Sequence, residues 1–148
     1  MARQAPRRGV GNMTGKPVAE GLFVERADGP RLIGGRRKSD GRFAFPMPTG
    51  PDAAGFDAVE LNPEGRLWSY TVQRFRPKPP FNGPGDDRSF QPYAVGYVEL
   101  PGEVIVESRL LVDDFQKLAI GMPMRLTTEV FRKAPDGSDV LTYAFRPA

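Results

Sequence analysis

The side chains best suited by type to chemistry fall into four sets. Asp86-Asp87 and Asp113-Asp114 are paired carboxylates. An acid/base pair that works on a bond needs both carboxyls in one cleft. Asp113-Asp114 is accounted for more simply as the cap of a short helix, and Asp86-Asp87 as a solvated loop tip. Arg74, Arg76 and Lys78 run from the end of a candidate strand into a Pro-rich loop that also carries Phe81 and Phe90. Arg74 and Arg76 have strand spacing, so their guanidinium groups can point the same way and grip phosphate or carboxylate. The alternative is a run of solvated loop charges. Phe81 and Phe90 either dock on a partner or fold back over the end of the fold. Trp68, Tyr70, Tyr93 and Tyr97 could stack on bases, or serve as core and cross-strand pairs. The chain has no cysteine and no histidine. Thiol nucleophiles, Ser-His-Asp triads, disulfides and thiolate or imidazole metal sites are therefore excluded.

These residues need elements to hold them. Gly (17) and Pro (16) are abundant in the 148 residues, which predicts short strands and many turns. Residues 1–42 carry ten Lys/Arg and four Asp/Glu, whereas residues 43–148 carry eleven and fourteen. The basic excess thus belongs to the N-terminal part. A nucleic-acid groove should be strongly basic, and the net −3 of the remainder argues against one. Residues 1–16 have no hydrophobic period and read as a flexible basic arm. Met1 to Gly15 lacks the apolar core of a secretory signal, and nothing approaches the roughly 18 apolar residues of a membrane span. The expected location is cytoplasmic.

Val18, Leu22 and Phe23 suggest a turn of helix or an extended anchor. Ser39-Asp40-Gly41 is a turn between candidate strands Leu32–Arg36 and Arg42–Phe45. Leu67–Phe75 alternates as a strand, with Trp68, Tyr70 and Val72 on one face and Leu67, Ser69 and Thr71 on the other. The loop Arg76–Gln91 holds four prolines and joins no ladder. Pro92–Leu100, Glu103–Leu111, Met124–Phe131 and Val140–Phe145 complete five strands. Pro101-Gly102 and Pro135-Asp136-Gly137 are turns, and a short helix capped by Asp113 or Asp114 runs to Leu118. Five strands with a short helix between the third and fourth is the order of the OB-fold barrel.

Three stretches, Gly65–Val72 (GRLWSYTV), Gln91–Leu100 (QPYAVGYVEL) and Leu118–Met124 (LAIGMPM), resemble the acyl-CoA-associated OB-fold proteins that carry a rubredoxin-like zinc ribbon. The resemblance covers roughly residues 17–147. It implies a mainly β chain: a basic arm over 1–16, a metal-free ribbon remnant over 17–64 and a five-stranded OB-fold over 65–148. The ribbon's metal ligands correspond to Arg37, Asp40, Gly50 and Ala53, so the sulfur ligands are gone while Gly41, Phe43, Phe45 and Pro46 still match. An Arg37–Asp40 ion pair, or packing of Phe43, Phe45 and Phe56 on the barrel, would then stand in for the metal. The resemblance further implies a non-catalytic subunit beside a thiolase-like or lipid-transfer-type protein. It binds no cofactor of its own, and a coenzyme A thioester is the shared ligand of the complex. Arg74, Arg76, Lys78, Phe81 and Phe90 are the expected contacts to coenzyme A or the partner, with loop and ribbon on one side of the barrel. The other readings are a single-stranded nucleic-acid-binding OB-fold and a stand-alone acyl-CoA carrier.

Overall fold

The computed structural model of the chain describes residues 15–75 and 90–148. The N-terminal half contains β1 (Lys16–Pro17), β2 (Phe23–Arg26), β3 (Gly29–Arg37), β4 (Phe43–Ala44) and β5 (Phe56–Glu60). β3 is its spine, pairing with β2, β4 and β5 in one small antiparallel sheet. Gly35 permits this crowding, because a Cβ there would lie 2.8 Å from the Met47 sulfur and 3.0 Å from Phe56. Val18 is exposed at a turn, while Leu22 and Phe23 pack on the core as the chain enters β2, so the anchor is extended rather than helical.

The second half holds β6 (Glu64–Gln73), β7 (Tyr93–Glu99), β8 (Ile105–Leu110), β9 (Pro123–Lys133) and β10 (Asp139–Pro147). β6, β7 and β8 form an antiparallel meander, β10 pairs with β9, and β9 returns to β6. A single parallel register pair, Phe145 with Leu110, closes the ring between β10 and β8. This is the five-stranded OB-fold that the strand order implies. The short helix is one 3-10 turn, Phe115–Lys117, with Asp114 accepting a 2.9 Å hydrogen bond from the Gln116 amide.

The face assignment within β6 requires correction. Leu67 pairs with Val98 and Ser69 with Tyr97, so Trp68 is the extra residue of a β-bulge. The bulge shifts the alternation by one residue. Leu67 is buried before it, and Tyr70 and Val72 lie opposite buried Gly96 and Ala94 after it. Trp68 is left outside, separated from the two residues with which it was expected to share a face. Gly96 makes room for Tyr70, since a Cβ there would lie 3.1 Å from the Tyr70 Cβ and 2.6 Å from the Ser69 carbonyl oxygen.

One core runs through both halves. Phe145, Leu67, Val98, Leu100, Met124 and Leu141 of the barrel share it with Phe23, Leu32 and Leu61 of the small sheet. β10 meets β8 at only one register pair, and beyond that point a different contact spans the split. Tyr143 donates a 3.1 Å hydrogen bond from its hydroxyl to the Glu107 carbonyl on β8, and Phe45 packs edge-on to its ring at 5.5 Å. Burial, with the nearby Glu107 carboxylate, raises the Tyr143 phenol above its ordinary value. No helix among the described residues is long and apolar enough to cross a membrane.

Candidate functional site

The turn between β3 and β4 contains the first pair of expected ligand positions. Arg37 grips Asp40 as a fork, its Nε donating at 2.9 Å to one carboxylate oxygen and its Nη2 to the other. The Arg42 amide donates to the same carboxylate at 3.1 Å. Backbone bonds from Arg37 N to the Arg42 carbonyl and from Gly41 N to the Arg37 carbonyl, both 2.7 Å, close the turn. The Arg37 guanidinium and the Arg42 amide hold the Asp40 carboxyl far below the usual carboxylate range. Gly50 and Ala53 lie in a 3-10 turn, Gly50–Gly55, and bring no donor side chain. These residues do not fit a zinc ion: the set offers one carboxylate, already engaged, where a structural site needs four ligands. Among the described residues, no group of three His, Cys, Asp or Glu is placed to hold a metal. Phe43 and Phe45 pack against the shared core, and Phe56 lies against Gly35.

The second set flanks the long loop. Arg74 lies over the Phe115 ring at 5.7 Å, so it lines the 3-10 turn. Phe90 meets Tyr93 edge-on at 5.9 Å, and Arg109 lies over the other side of this cluster, 4.8 Å from the Tyr93 ring centre. Arg109 also reaches Glu129 at 3.4 Å. Burial nevertheless pushes the Glu129 carboxyl up, against the opposing pull of Arg109. Arg76, Lys78 and Phe81 lie outside the described residues, as do Asp86 and Asp87. Asp113 is taken up by Lys117 at 3.0 Å and Asp114 by its cap, so this pair forms no acid/base cleft.

Loop residues 76–89 lie outside the described residues, and so does the expected shared side of loop and ribbon. The loop is entered from the Gln73–Tyr93 end of the β6–β7 ladder. The turn of Asp40, Gly41, Arg42 and Phe43 instead borders a cleft with Gly102 and Glu103, beyond the other end of β7. Seven strand residues at about 3.3 Å each separate the two ends.

A further surface escaped the sequence reading. Trp68 is 56% exposed and packs edge-on against Tyr97, which is 42% exposed, with ring centres 6.2 Å apart. Burial of Leu67 directs Trp68 outward, while the bulge turns the following Tyr70 and Val72 away from it.

Residues 58–129 match the family model for the ChsH2 C-terminal OB-fold domain. The barrel is thus similar to the ChsH2 C-terminal OB-fold domain. The matched segment runs from β5 into β9, so the Arg37–Asp40 turn precedes the part that defines the ChsH2 domain. Among solved structures, the chain is similar to one titled "Ltp2-ChsH2(DUF35) aldolase", with 28% identity and a TM-score of 0.55 over 79% of this chain and 84% of that chain. No curated protein matches the chain.

Proposed function

We propose that the chain is a non-catalytic OB-fold subunit of a thiolase-type complex (a thiolase, acyltransferase or aldolase) in acyl-CoA metabolism, where it helps form the acyl-CoA channel. The observation that carries this reading is the likeness, over most of both chains, to a chain of the solved "Ltp2-ChsH2(DUF35) aldolase", together with the match of residues 58–129 to the ChsH2 C-terminal OB-fold domain. The chain's own chemistry supports it. A sequence without cysteine or histidine lacks the usual nucleophile and base of acyl transfer. The described paired carboxylates are engaged in an ion pair and a cap. The partner, a thiolase-like or lipid-transfer-type protein, therefore supplies the reacting groups. The coenzyme A thioester is a ligand of the whole complex, and the chain acts in the cytoplasm where such thioesters are handled. The small N-terminal sheet is a ribbon whose metal positions have been replaced by the Arg37–Asp40 clasp.

The test is reconstitution. The tagged chain should purify with a thiolase-fold protein identifiable by mass spectrometry. The pair should turn over acyl-CoA esters, and the isolated chain should not. Turnover by the chain alone, or a chain that forms no complex with a thiolase-fold protein, would refute the reading.

A further inference from the structure

The outer face of β6, β7 and β8 carries large apolar side chains into solvent. Trp68 is the only tryptophan in the chain, and it stands beside Tyr97 on this face. Tyr97 lies opposite Ser69 on one side and Glu107 on the other. Ile105, 45% exposed, is paired with Glu99 one row along the same face. Buried Leu67 sets Trp68 outward, and the bulge turns Tyr70 and Val72 to the other face. Bulges of this kind re-aim side chains at functional surfaces. Among the described residues, the Trp68 and Tyr97 rings meet each other rather than the N-terminal half. Its described contacts with the barrel include Arg125 on the Asp28 carbonyl at 2.9 Å, Phe45 on Tyr143, and the Asn62 amide on Glu103 at 2.8 Å.

Charge decides what kind of occupant fits. Arg66, Glu99, Glu107 and Arg109 are exposed around the aromatic pair and alternate in sign. Carboxylates beside the rings oppose a polyphosphate backbone, which needs a uniformly basic track. Aromatic anchors inside a rim of mixed charge are the anatomy of a protein–protein contact. We infer that the Trp68–Tyr97 face, rather than the ribbon turn, is where the thiolase-type subunit docks. The inference rests on the accessory-subunit reading and adds to it the surface and its anchor.

A single tryptophan makes the test direct. The full chain is labelled with 5-fluorotryptophan and titrated with the purified, unlabelled thiolase-fold partner identified above, with the Trp68 fluorine resonance followed by NMR. Docking on this face shifts the resonance and removes its solvent isotope effect. Trp68→Ala weakens the complex by about tenfold or more, and Tyr97→Ala by less, while the ribbon variant Arg42→Ala binds as wild type. Both barrel side chains are exposed, and circular dichroism confirms that the variants keep the fold. An unmoved resonance with undiminished binding of Trp68→Ala overturns the inference and leaves the accessory role standing. Failure of the wild-type chain to bind any thiolase-fold protein overturns the accessory role and the docking face with it. A resonance that moves with chain concentration alone, or with oligo-dT, assigns the face to a second copy or to single-stranded nucleic acid and likewise overturns the inference.

Discussion

The two halves of the molecule are held together by different means. The barrel is closed by backbone ladders around buried Phe145, Leu67, Val98 and Met124. The N-terminal sheet contributes few fully buried side chains, chiefly Leu32 and Leu61, and is laced by ion pairs at its surface: Arg26 with Glu60 and Arg31 with Asp28, both at 2.6 Å, and the Arg37–Asp40 fork. Exposed pairs contribute about 0–1 kcal/mol each, so they cannot sustain a sheet that lacks its own core. The small half keeps its shape because its few apolar residues are inserted into the core of the large one.

That contrast can be broken most forcefully at the shared core. Phe145→Ala should cost about 3–5 kcal/mol, read as a lowered urea midpoint. Leu32→Ala, in the small half, should cost about 2–5 kcal/mol and should lower the barrel transition reported by Trp68 fluorescence as well. A Leu32 variant that leaves the Trp68 transition in place would show two independent units. Next in size, Gly96→Ala should destabilise the barrel by about 1–3 kcal/mol, because the new methyl group meets the Ser69 carbonyl oxygen and the Leu110 side chain. Thermal denaturation measures it.

A smaller effect is expected at Glu129, whose carboxyl is raised by burial. The folded state holds that proton more tightly than the unfolded chain, so stability falls as pH rises from the unfolded value through the folded one. Glu129→Gln should therefore gain on wild type between pH 4 and pH 7 and lose that gain in more acidic solution. Thermal midpoints across that range check the sign. The smallest effects belong to the ribbon turn. Zinc should not raise the melting temperature, since Arg37, Asp40, Gly50 and Ala53 do not form a tetrahedral donor set. Arg37→Ala should quicken hydrogen exchange at the Gly41 and Arg42 amides, whose acceptors are the Arg37 carbonyl and the Asp40 carboxylate, and leave the barrel amides protected. The Asp40 shift lies so far in acid that this clasp should persist through ordinary pH.

Local signals explain why the barrel strands were legible in the sequence. β7 and β8 alternate buried and exposed residues almost without fault, a turn at Pro101-Gly102 separates them, and one at Asp136-Gly137 separates β9 from β10. The capping Asp114 and the Arg37–Asp40 pair were also readable, because both join residues two or three positions apart. β2 and β5 were not recognised, since FVER and FDAVE carry little hydrophobic pattern and are strands through their pairing with β3. The bulge at Trp68 depends on the partner strand's register, which no property of β6 alone reveals. The same holds for the Phe90–Tyr93–Arg109 cluster, a product of tertiary pairing.

One small pairing has a consequence for how molecules of this chain meet one another in crowded solution. β10 leaves β8 after a single register pair, and the first part of β10 would otherwise present bare amide and carbonyl groups along that seam. Lys16 and Pro17 of β1 lie parallel to Val140 and Leu141 there, and the Val18 amide donates to the Leu141 carbonyl at 2.6 Å. An uncovered strand edge invites strands from other molecules and can seed aggregation. The inserted strip closes the seam with only two strand residues, and one of them is a proline with no amide hydrogen to recruit the next strand. The segment leading into the small sheet thus shields the molecule from adhesion to its own copies.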